Sequence, residues 1–242
     1  MEEAPVIYKT EEEGIAWIIL NRPKRRNAIN QSLLAHLYDA IDAVAGDENI
    51  RAAILTGNGK SFCSGLDLEI VTRENLFNPR EDGKDLMDVL AGCKKPLIGA
   101  VNGHAITGGF ELALNCDFLI ASDHASFADT HAKVGIHPGW GMTQLLQQAI
   151  GRRRARQMSY TCQFITAEKA FDWGLVNEVV PHEMLWPRAK ELANQIGMVN
   201  QDMLATVRDL IDYRDGATLA EAIAHEREGF NAFVKTHLNP SK

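Results

Sequence analysis

Residues 101–116 read VNGHAITGGFELALNC, an apolar strand that passes through a glycine-rich turn into a short helix. A turn of this kind leaves unpaired backbone N–H groups at the start of the helix, where they and the helix dipole stabilise negative charge. Glu111 lies in the first helical turn, either as a helix cap or as an acid–base group beside that pocket. An oxyanion pocket with a carboxylate beside it suits chemistry at an acyl carbonyl or its neighbouring carbons.

A second glycine-rich turn follows the strand predicted at residues 52–55. Its Gly59-Lys60-Ser61 triplet is not a phosphate-binding loop, because that motif needs a glycine where Ile54 stands. Ser64 is not in a serine-hydrolase elbow either, because Phe62 replaces the first glycine of that motif. What remains is a turn at Gly65 that can point backbone N–H groups into a cleft, as the turn at Gly108 does.

The composition predicts a globular protein with one sizeable core. The chain has 242 residues, of which 45% are hydrophobic, and its net charge of −7 is spread along the sequence. An acidic chain without a basic field argues against nucleic acid as a partner. No apolar run approaches the roughly 20 residues that span a bilayer, and the acidic N-terminus is unlike a signal peptide. The four cysteines lack C-x-x-C spacing, so we expect reduced thiols, no bound metal and a cytoplasmic location with no membrane partner.

The hydrophobic patterns predict an α/β core followed by a helical region. Residues 6–9 and 15–20 form a hairpin around an acidic turn, and Asn30 caps a helix that ends at Gly46. Strand, turn and helix then alternate over residues 51–129, which favours parallel strands with covering helices. The remaining helices are predicted at residues 167–174, 185–196, 203–213 and 219–233. We therefore expect a core at residues 1–182 and a helical C-terminal region at 183–242.

Three polar segments lie between these elements. Residues 22–26 carry four positive charges, in either a solvated loop or a site for a phosphate-bearing ligand. Residues 71–85 are predicted to be a loop or mobile helix, of the kind that often controls entry to a cleft. A helix from Met142 is expected to end in a cluster of arginines that matches its dipole, Arg152, Arg153, Arg154 and Arg156.

Several of these motifs together resemble the enoyl-CoA hydratase/isomerase (crotonase) family over nearly the whole chain. They are Asn21-Arg22-Pro23 with Asn27-Ala28, FCSGLD at residues 62–67, VNG at 101–103, GGFELA at 108–113, Cys116-Asp117, the 135–141 loop with Thr143-Gln144, and residues 167–181. The combination is specific for the family and much less specific for the reaction.

The resemblance implies an α/β crotonase (ClpP-like) fold, in which repeated ββα units build two nearly perpendicular sheets. It implies that the helical C-terminal region makes a homotrimer, or a hexamer built as a dimer of trimers. The ligand would be an acyl-CoA thioester, with no separate cofactor because coenzyme A is part of the substrate. The backbone N–H groups of Leu66 and Gly108 would form the oxyanion hole and stabilise an enolate.

The resemblance also implies contacts to the rest of the ligand. Lys24, Arg25 and Arg26 fall where the family holds the nucleotide end of coenzyme A. The other residues expected to contact the substrate are Ser64, Gly65, Asp67, Gly109 and Trp140.

Glu111 matches the first of the two catalytic glutamates of the hydratases, but His131 occupies the position of the second. His131 is either an acid–base group in its own right or a partly exposed histidine at the mouth of the cleft. Asp129 is a weaker substitute and is expected to be structural. Three hypotheses remain open: an enoyl-CoA hydratase; another crotonase reaction, such as isomerisation, decarboxylation or carbon–carbon cleavage; and an acyl-CoA binding protein without turnover.

Overall fold

The computed structural model describes residues 4–238, which divide into two compact units, one ending at Gly197 and the other beginning at Met198. The strands, all in the first unit, are β1 (Val6–Glu11), β2 (Ile15–Leu20), β3 (Ala52–Gly57), β4 (Ser61–Cys63), β5 (Leu97–Val101), β6 (His104–Ile106), β7 (Phe118–Ser122), β8 (Ser126–Ala128), β9 (Ile165–Thr166) and β10 (Glu178–Val180). Within the described residues, no helix is both long enough and apolar enough to cross a bilayer.

The helices of the first unit are α1 (Gln31–Gly46), α2 (Leu86–Gly92), α3 (Gly108–Leu114), α4 (His131–Val134), α5 (Met142–Ile150), α6 (Arg152–Thr161), α7 (Ala167–Trp173) and α8 (Leu185–Gly197). Short 3-10 turns occupy Pro23–Arg25 and His182–Met184. The second unit contains α9 (Gln201–Tyr213), α10 (Leu219–Phe233) and a π-helical turn at Val234–Leu238. The helical C-terminal pattern predicted from the sequence is confirmed.

The strands and helices follow a repeated ββα order, as the family resemblance implies. In each of the successive pairs β3–β4, β5–β6 and β7–β8, the first strand joins a six-stranded sheet of order β1-β2-β3-β5-β7-β10. The second strand of each pair joins a four-stranded sheet of order β4-β6-β8-β9. Strands β2, β3, β5, β7 and β10 are parallel neighbours, and β1 and β2 form the predicted antiparallel hairpin.

The central strands of the large sheet, such as β2, β3 and β5, are buried on both faces, which explains their continuous apolar sequences. Every residue of β2, IAWIIL, is buried. One face packs against a cluster that includes Leu37 of α1, and the other packs against Leu185 and Ala189 of α8. Helix α1 begins as predicted, because the side chain of Asn30 accepts the N–H of Leu33 at 2.9 Å.

The small sheet determines where the site forms. Strands β4, β6 and β8 are parallel neighbours, so their carboxyl ends meet at one edge. The chain leaves these ends at residues 64–66, 107–108 and 129–131. Both glycine-rich turns and the segment containing His131 therefore lie side by side.

The predicted helix from Met142 through the arginine cluster is wrong. Helix α5 ends at Ile150, and Gly151 has φ +80° and begins a new helix at Arg152. Glycine adopts this left-handed backbone readily, so one residue interrupts a pattern that periodicity reads as continuous. The arginines therefore lie in the first turns of α6 and not at the end of α5.

Residues 71–85 form turns and bends without a helix, and Arg80 holds this loop against α1. The Arg80 guanidinium lies 3.0 Å from Asp39 and 2.6 Å from Asp42, and also 2.8 Å from Asp82 within the loop. Leu76 is buried in the core cluster. The loop is thus attached to the first unit by charge pairs on its surface and by an apolar anchor.

Replacing Gly109 with alanine tests how closely α3 packs on β4. A Cβ atom at Gly109 would lie 2.2 Å from the Cys63 carbonyl oxygen, whereas one at Gly92 would meet nothing within 4 Å. We expect Gly109→Ala to lower the free energy of unfolding by about 1–3 kcal/mol. Gly92→Ala, the matched control in α2, is expected to leave it unchanged or raise it slightly because alanine favours helix. Equal denaturation midpoints for the two variants would contradict this packing.

Candidate active site

A cavity of about 80 Å³ opens at the carboxyl ends of β4, β6 and β8, which is enough room for several water molecules. Its walls carry the predicted residues Ser64, Leu66, Gly108, Glu111, His131 and Trp140, together with Leu68, Phe77, Thr107, Thr130, Val134, Ile136, His137 and Gly139. The fold therefore brings the two turns, the carboxylate and the histidine predicted from the sequence to one place.

The two glycine-rich turns touch each other at Gly65 and Gly108. Gly65 has φ +87°, and a Cβ atom there would lie 2.9 Å from the Ile106 carbonyl oxygen and 3.3 Å from the Gly108 nitrogen. Only glycine permits this approach. Within the described part of the chain, the N–H groups of Leu66 and Gly108 donate no hydrogen bond. Leu66 and Gly108 both line the cavity, so two backbone donors without a protein acceptor border it on adjoining turns of the described chain.

Glu111 is buried, with 2% of its surface exposed, and its carboxylate is held in one orientation. Oε1 accepts the backbone N–H groups of Trp140 at 2.9 Å and Met142 at 3.2 Å. The Asn115 side chain donates to the carbonyl oxygens of Glu111 and Trp140, each at 2.8 Å, and so ties α3 to the loop before α5. Oε2 is thereby left to face His131, 3.5 Å from Nε2.

His131 is 6% exposed, so the alternative of a partly exposed histidine at the cleft mouth is wrong. Its Nδ1 lies 2.7 Å from Oδ1 of Asp129, which also accepts the His131 backbone N–H at 3.2 Å. Asp129 is also buried, and its expected structural role becomes a specific one: it fixes the ring of His131. Because Nδ1 donates to Asp129, Nε2 is directed at Glu111.

The two neighbouring carboxylates keep His131 protonated. Burial by itself would lower the pKa of His131, but hydrogen bonds and charge from Asp129 and Glu111 outweigh it and raise the pKa to about 9. Burial would likewise raise the pKa of Asp129, but hydrogen bonds from His131 and Ser159 hold it below its ordinary value. At neutral pH the buried cluster thus contains an imidazolium cation bound to an ionised Asp129.

The basic loop lies beside the first glycine-rich turn. The Ser64 N–H donates to the Arg26 carbonyl oxygen at 3.1 Å, and the buried Asn27 amide donates to the Ser61 and Phe62 carbonyl oxygens. The side chains of Lys24, Arg25 and Arg26 are exposed. Arg25 pairs with the exposed Glu69 at 2.6 Å. The predicted phosphate contacts are therefore adjacent to the turn that carries Leu66, outside the cavity itself.

Three of the predicted substrate contacts, Gly65, Asp67 and Gly109, are not among the residues that line the cavity. Asp67 is buried and faces Arg22, whose guanidinium nitrogen is 3.3 Å from its carboxylate. Arg22 also donates to the Ala28 carbonyl oxygen, so this pair fastens the basic loop to the turn. Gly109 packs on Cys63. Asp67 and Gly109 thus support the turns and do not line the cavity.

Sequence reasoning missed the pairing of Asp129 with His131 and the contact between Thr107 and Thr130. The D-x-H spacing at residues 129–131 was the available signal, because a two-residue separation allows an aspartate to bond a histidine ring in a turn. Among the described residues, no group of three or more His, Cys, Asp or Glu side chains has an arrangement that could hold a metal ion. None of the four cysteines, all of which lie in the described part of the chain, is in a disulfide; Cys63, Cys93 and Cys116 are buried and Cys162 is partly exposed.

Comparison with known proteins places these features in a family. The family profile described as Enoyl-CoA hydratase/isomerase matches residues 10–239. The chain is 40% identical to a probable peroxisomal enoyl-CoA hydratase 1 of Arabidopsis thaliana, covering 96% of this chain and 88% of that protein. It is 36% identical to a crotonyl-CoA hydratase of Syntrophomonas wolfei, covering 95% of each. A solved enoyl-CoA hydratase of Mycobacterium tuberculosis H37Rv superimposes with a TM-score of 0.86 at 32% identity, covering 93% of this chain and 88% of that one.

The raised pKa of His131 predicts how stability depends on pH. The folded protein binds the His131 proton more tightly than the unfolded chain, whose histidine pKa is about 6.5. The resulting stabilisation is complete below about pH 6.5 and is lost as pH rises through about 9. Relative to His131→Gln, wild type is expected to lose on the order of 1–3 kcal/mol of unfolding free energy over this window.

Denaturant unfolding at several pH values checks this prediction. The control is His36→Gln, which removes an exposed histidine of α1 and should keep the wild-type pH dependence. A difference between wild type and His131→Gln that stays constant from pH 6 to 10 would show that His131 is not held as a cation.

Proposed function

The chain belongs to the enoyl-CoA hydratase/isomerase family, and we propose that it adds water to a 2-enoyl-CoA thioester with Glu111 as base and His131 as acid. The buried pair of Glu111 and His131 supports this most strongly, because Oε2 and Nε2 lie 3.5 Å apart in a cavity that Leu66 and Gly108 also line. Hydration needs a base for water, an acid for the α carbon and donors for the thioester oxygen.

The addition proceeds by a balanced transfer of one water molecule. Glu111 takes a proton from water, and the water oxygen forms a bond to the β carbon. The electron pair of the double bond moves toward the thioester, whose oxygen accepts the N–H groups of Leu66 and Gly108 as it becomes an enolate. His131 then donates its Nε2 proton to the α carbon, and the enolate returns to a thioester.

The protonation state of His131 suits its role as the acid. A pKa of about 9 makes His131 a cation at neutral pH, so its proton is available for the α carbon. Asp129 holds Nδ1 and so directs Nε2 into the cavity. His131 thus supplies the proton that the second glutamate supplies in other hydratases.

The contact between the pair also closes the catalytic cycle. After one turnover, Glu111 carries the proton from water and His131 is neutral. At 3.5 Å, Glu111 Oε2 can return that proton to Nε2 directly or through one water molecule. The charge distribution of the resting site is then restored, because His131 is again a cation between two carboxylates.

The proposal includes the remaining parts of the molecule. Lys24, Arg25 and Arg26 bind phosphate groups of coenzyme A, beside the turn that positions the thioester. No further cofactor takes part, because the acid, the base and the oxyanion donors are all side chains or backbone of this chain. Assembly as a homotrimer or hexamer is supported by the second unit, where Ile211, Phe230 and other apolar side chains are exposed.

We propose a cytoplasmic location for the protein.

Loss of enoyl-thioester absorbance, measured with crotonyl-CoA and longer 2-enoyl-CoAs, tests the proposed pair. We expect Glu111→Gln and His131→Gln each to lower kcat by about 10²–10⁴ while KM changes little, because each removes one proton transfer. Asp129→Asn should lower kcat by about 10–100-fold, because asparagine still bonds the His131 ring but no longer stabilises its positive charge. His104→Gln is the control, since His104 is exposed and bonds Ser126 away from the cavity.

Other outcomes point to the remaining hypotheses. Isomerisation of a 3-enoyl-CoA without hydration would replace the proposed reaction with a single proton shuttle. Thioester binding without any turnover would leave an acyl-CoA binding protein. Full hydration by Glu111→Gln would refute the assignment of the base.

A further inference from the structure

Thr107, immediately before the Gly108 donor, has an unfavourable backbone conformation. Its φ is +53° and its ψ is −115°, a combination that glycine adopts readily but that brings a Cβ atom too close to the backbone. A β-branched residue is especially disfavoured there. Such strain persists only where surrounding contacts hold it in place, and it concentrates at functional sites.

The contacts that hold Thr107 come from the segment that contains His131. The Thr107 hydroxyl bonds the Thr130 hydroxyl and also accepts the Thr130 backbone N–H at 3.2 Å. The Thr107 N–H donates to the Ala128 carbonyl oxygen at 2.9 Å. Thr107 is 8% exposed, and both threonines line the cavity.

We propose that the Thr107–Thr130 hydroxyl pair positions the oxyanion donor of Gly108 relative to the acid His131. Each threonine directly precedes one of these two groups along the chain. The pair therefore joins the end of β6 to the end of β8 at the points where the thioester oxygen and the α carbon must be reached together. Thr107 and Thr130 are positioning residues, because they act through their neighbours, and the role rests on the proposed hydration.

This role explains why a strained threonine is kept where glycine would fit. Glycine would relieve the backbone but would leave the turn free to move and would remove the hydroxyl that bonds Thr130. A displacement of about 1 Å at a reacting centre can cost roughly 10²-fold in rate. The bond between the hydroxyls restricts that displacement at both ends.

The test compares four variants in crotonyl-CoA hydration. Thr107→Ala and Thr130→Val, which remove one hydroxyl each, are expected to lower kcat by about 10- to 100-fold with KM within about twofold. Thr107→Ser keeps the hydroxyl and should therefore keep most of the wild-type kcat. The double variant Thr107→Ala/Thr130→Val should be no slower than Thr107→Ala, because Thr107→Ala already removes the bond between the two hydroxyls.

Thr56→Val is the matched control for stability. The Thr56 hydroxyl is fully buried and donates to the Ala100 carbonyl oxygen at 2.7 Å, within the large sheet and away from the cavity. We expect this variant to lower the unfolding midpoint while leaving kcat at the wild-type value. If Thr56→Val lowers kcat as much as Thr130→Val does for the same loss of stability, the loss of rate reflects destabilisation alone and the proposal is overturned. So would a wild-type kcat in Thr130→Val.

A binding measurement separates this proposal from the proposed reaction. Acetoacetyl-CoA forms an enolate, whose negative oxygen depends on the oxyanion donors. Butyryl-CoA forms no enolate under these conditions and depends on those donors less. We expect Thr130→Val to lower the affinity for acetoacetyl-CoA about tenfold more than the affinity for butyryl-CoA. If the wild-type protein hydrates no 2-enoyl-CoA, the proposed function is wrong, but the ratio of the two affinities still tests the role of the Thr107–Thr130 pair. A ratio that is the same in Thr130→Val and wild type would overturn that role.

Discussion

The parallel pairing of β4, β6 and β8 is the constraint on which the site depends. Each strand is only three residues long, and the pairing aligns Ile106 with Ala128 and Cys63 with Ala105. The turns that follow therefore start at a common edge and supply two backbone donors and a histidine. Because side chains alternate along a strand, a slip of one residue would turn them to the wrong face of the sheet. The pairing of backbone strands, and not the catalytic side chains, thus determines the geometry of the cavity.

The buried charges at that edge stabilise one another. Glu111, Asp129 and His131 are each less than 10% exposed, and a single charge buried in this way would be costly. Two carboxylates around one imidazolium, with backbone N–H groups on Glu111, give each charge a partner. The same arrangement keeps a proton on His131 for transfer and leaves Glu111 able to accept one. Structural and chemical requirements therefore favour the same protonation state.

The sequence predicted the parts of the site that follow from local backbone chemistry. Gly65 marks a turn because its φ of +87° and its close approach to Ile106 require glycine, and Glu111 follows Gly108 at a fixed place in a short helix. The burial of His131 could not be predicted in the same way, since it depends on how β8 packs against α3, where the rings of Phe127 and Phe110 meet. At Gly151 the sequence pattern predicted too much structure. It predicted one continuous helix, whereas the left-handed backbone of Gly151 separates two helices. Roles that depend on tertiary burial, such as those of Asp67 and Thr107, became visible only in the structure.

The pH dependence of kcat/KM for crotonyl-CoA is the measurement that shows whether His131 is the acid. We expect kcat/KM to fall on the alkaline side with an apparent pKa near 9, the value at which His131 loses its proton. In His131→Glu, which replaces the imidazolium with a carboxylic acid, this alkaline limb should move to lower pH. If the alkaline limb is unchanged in His131→Glu, or if the wild-type kcat/KM does not fall as pH rises past 9, His131 is not the acid.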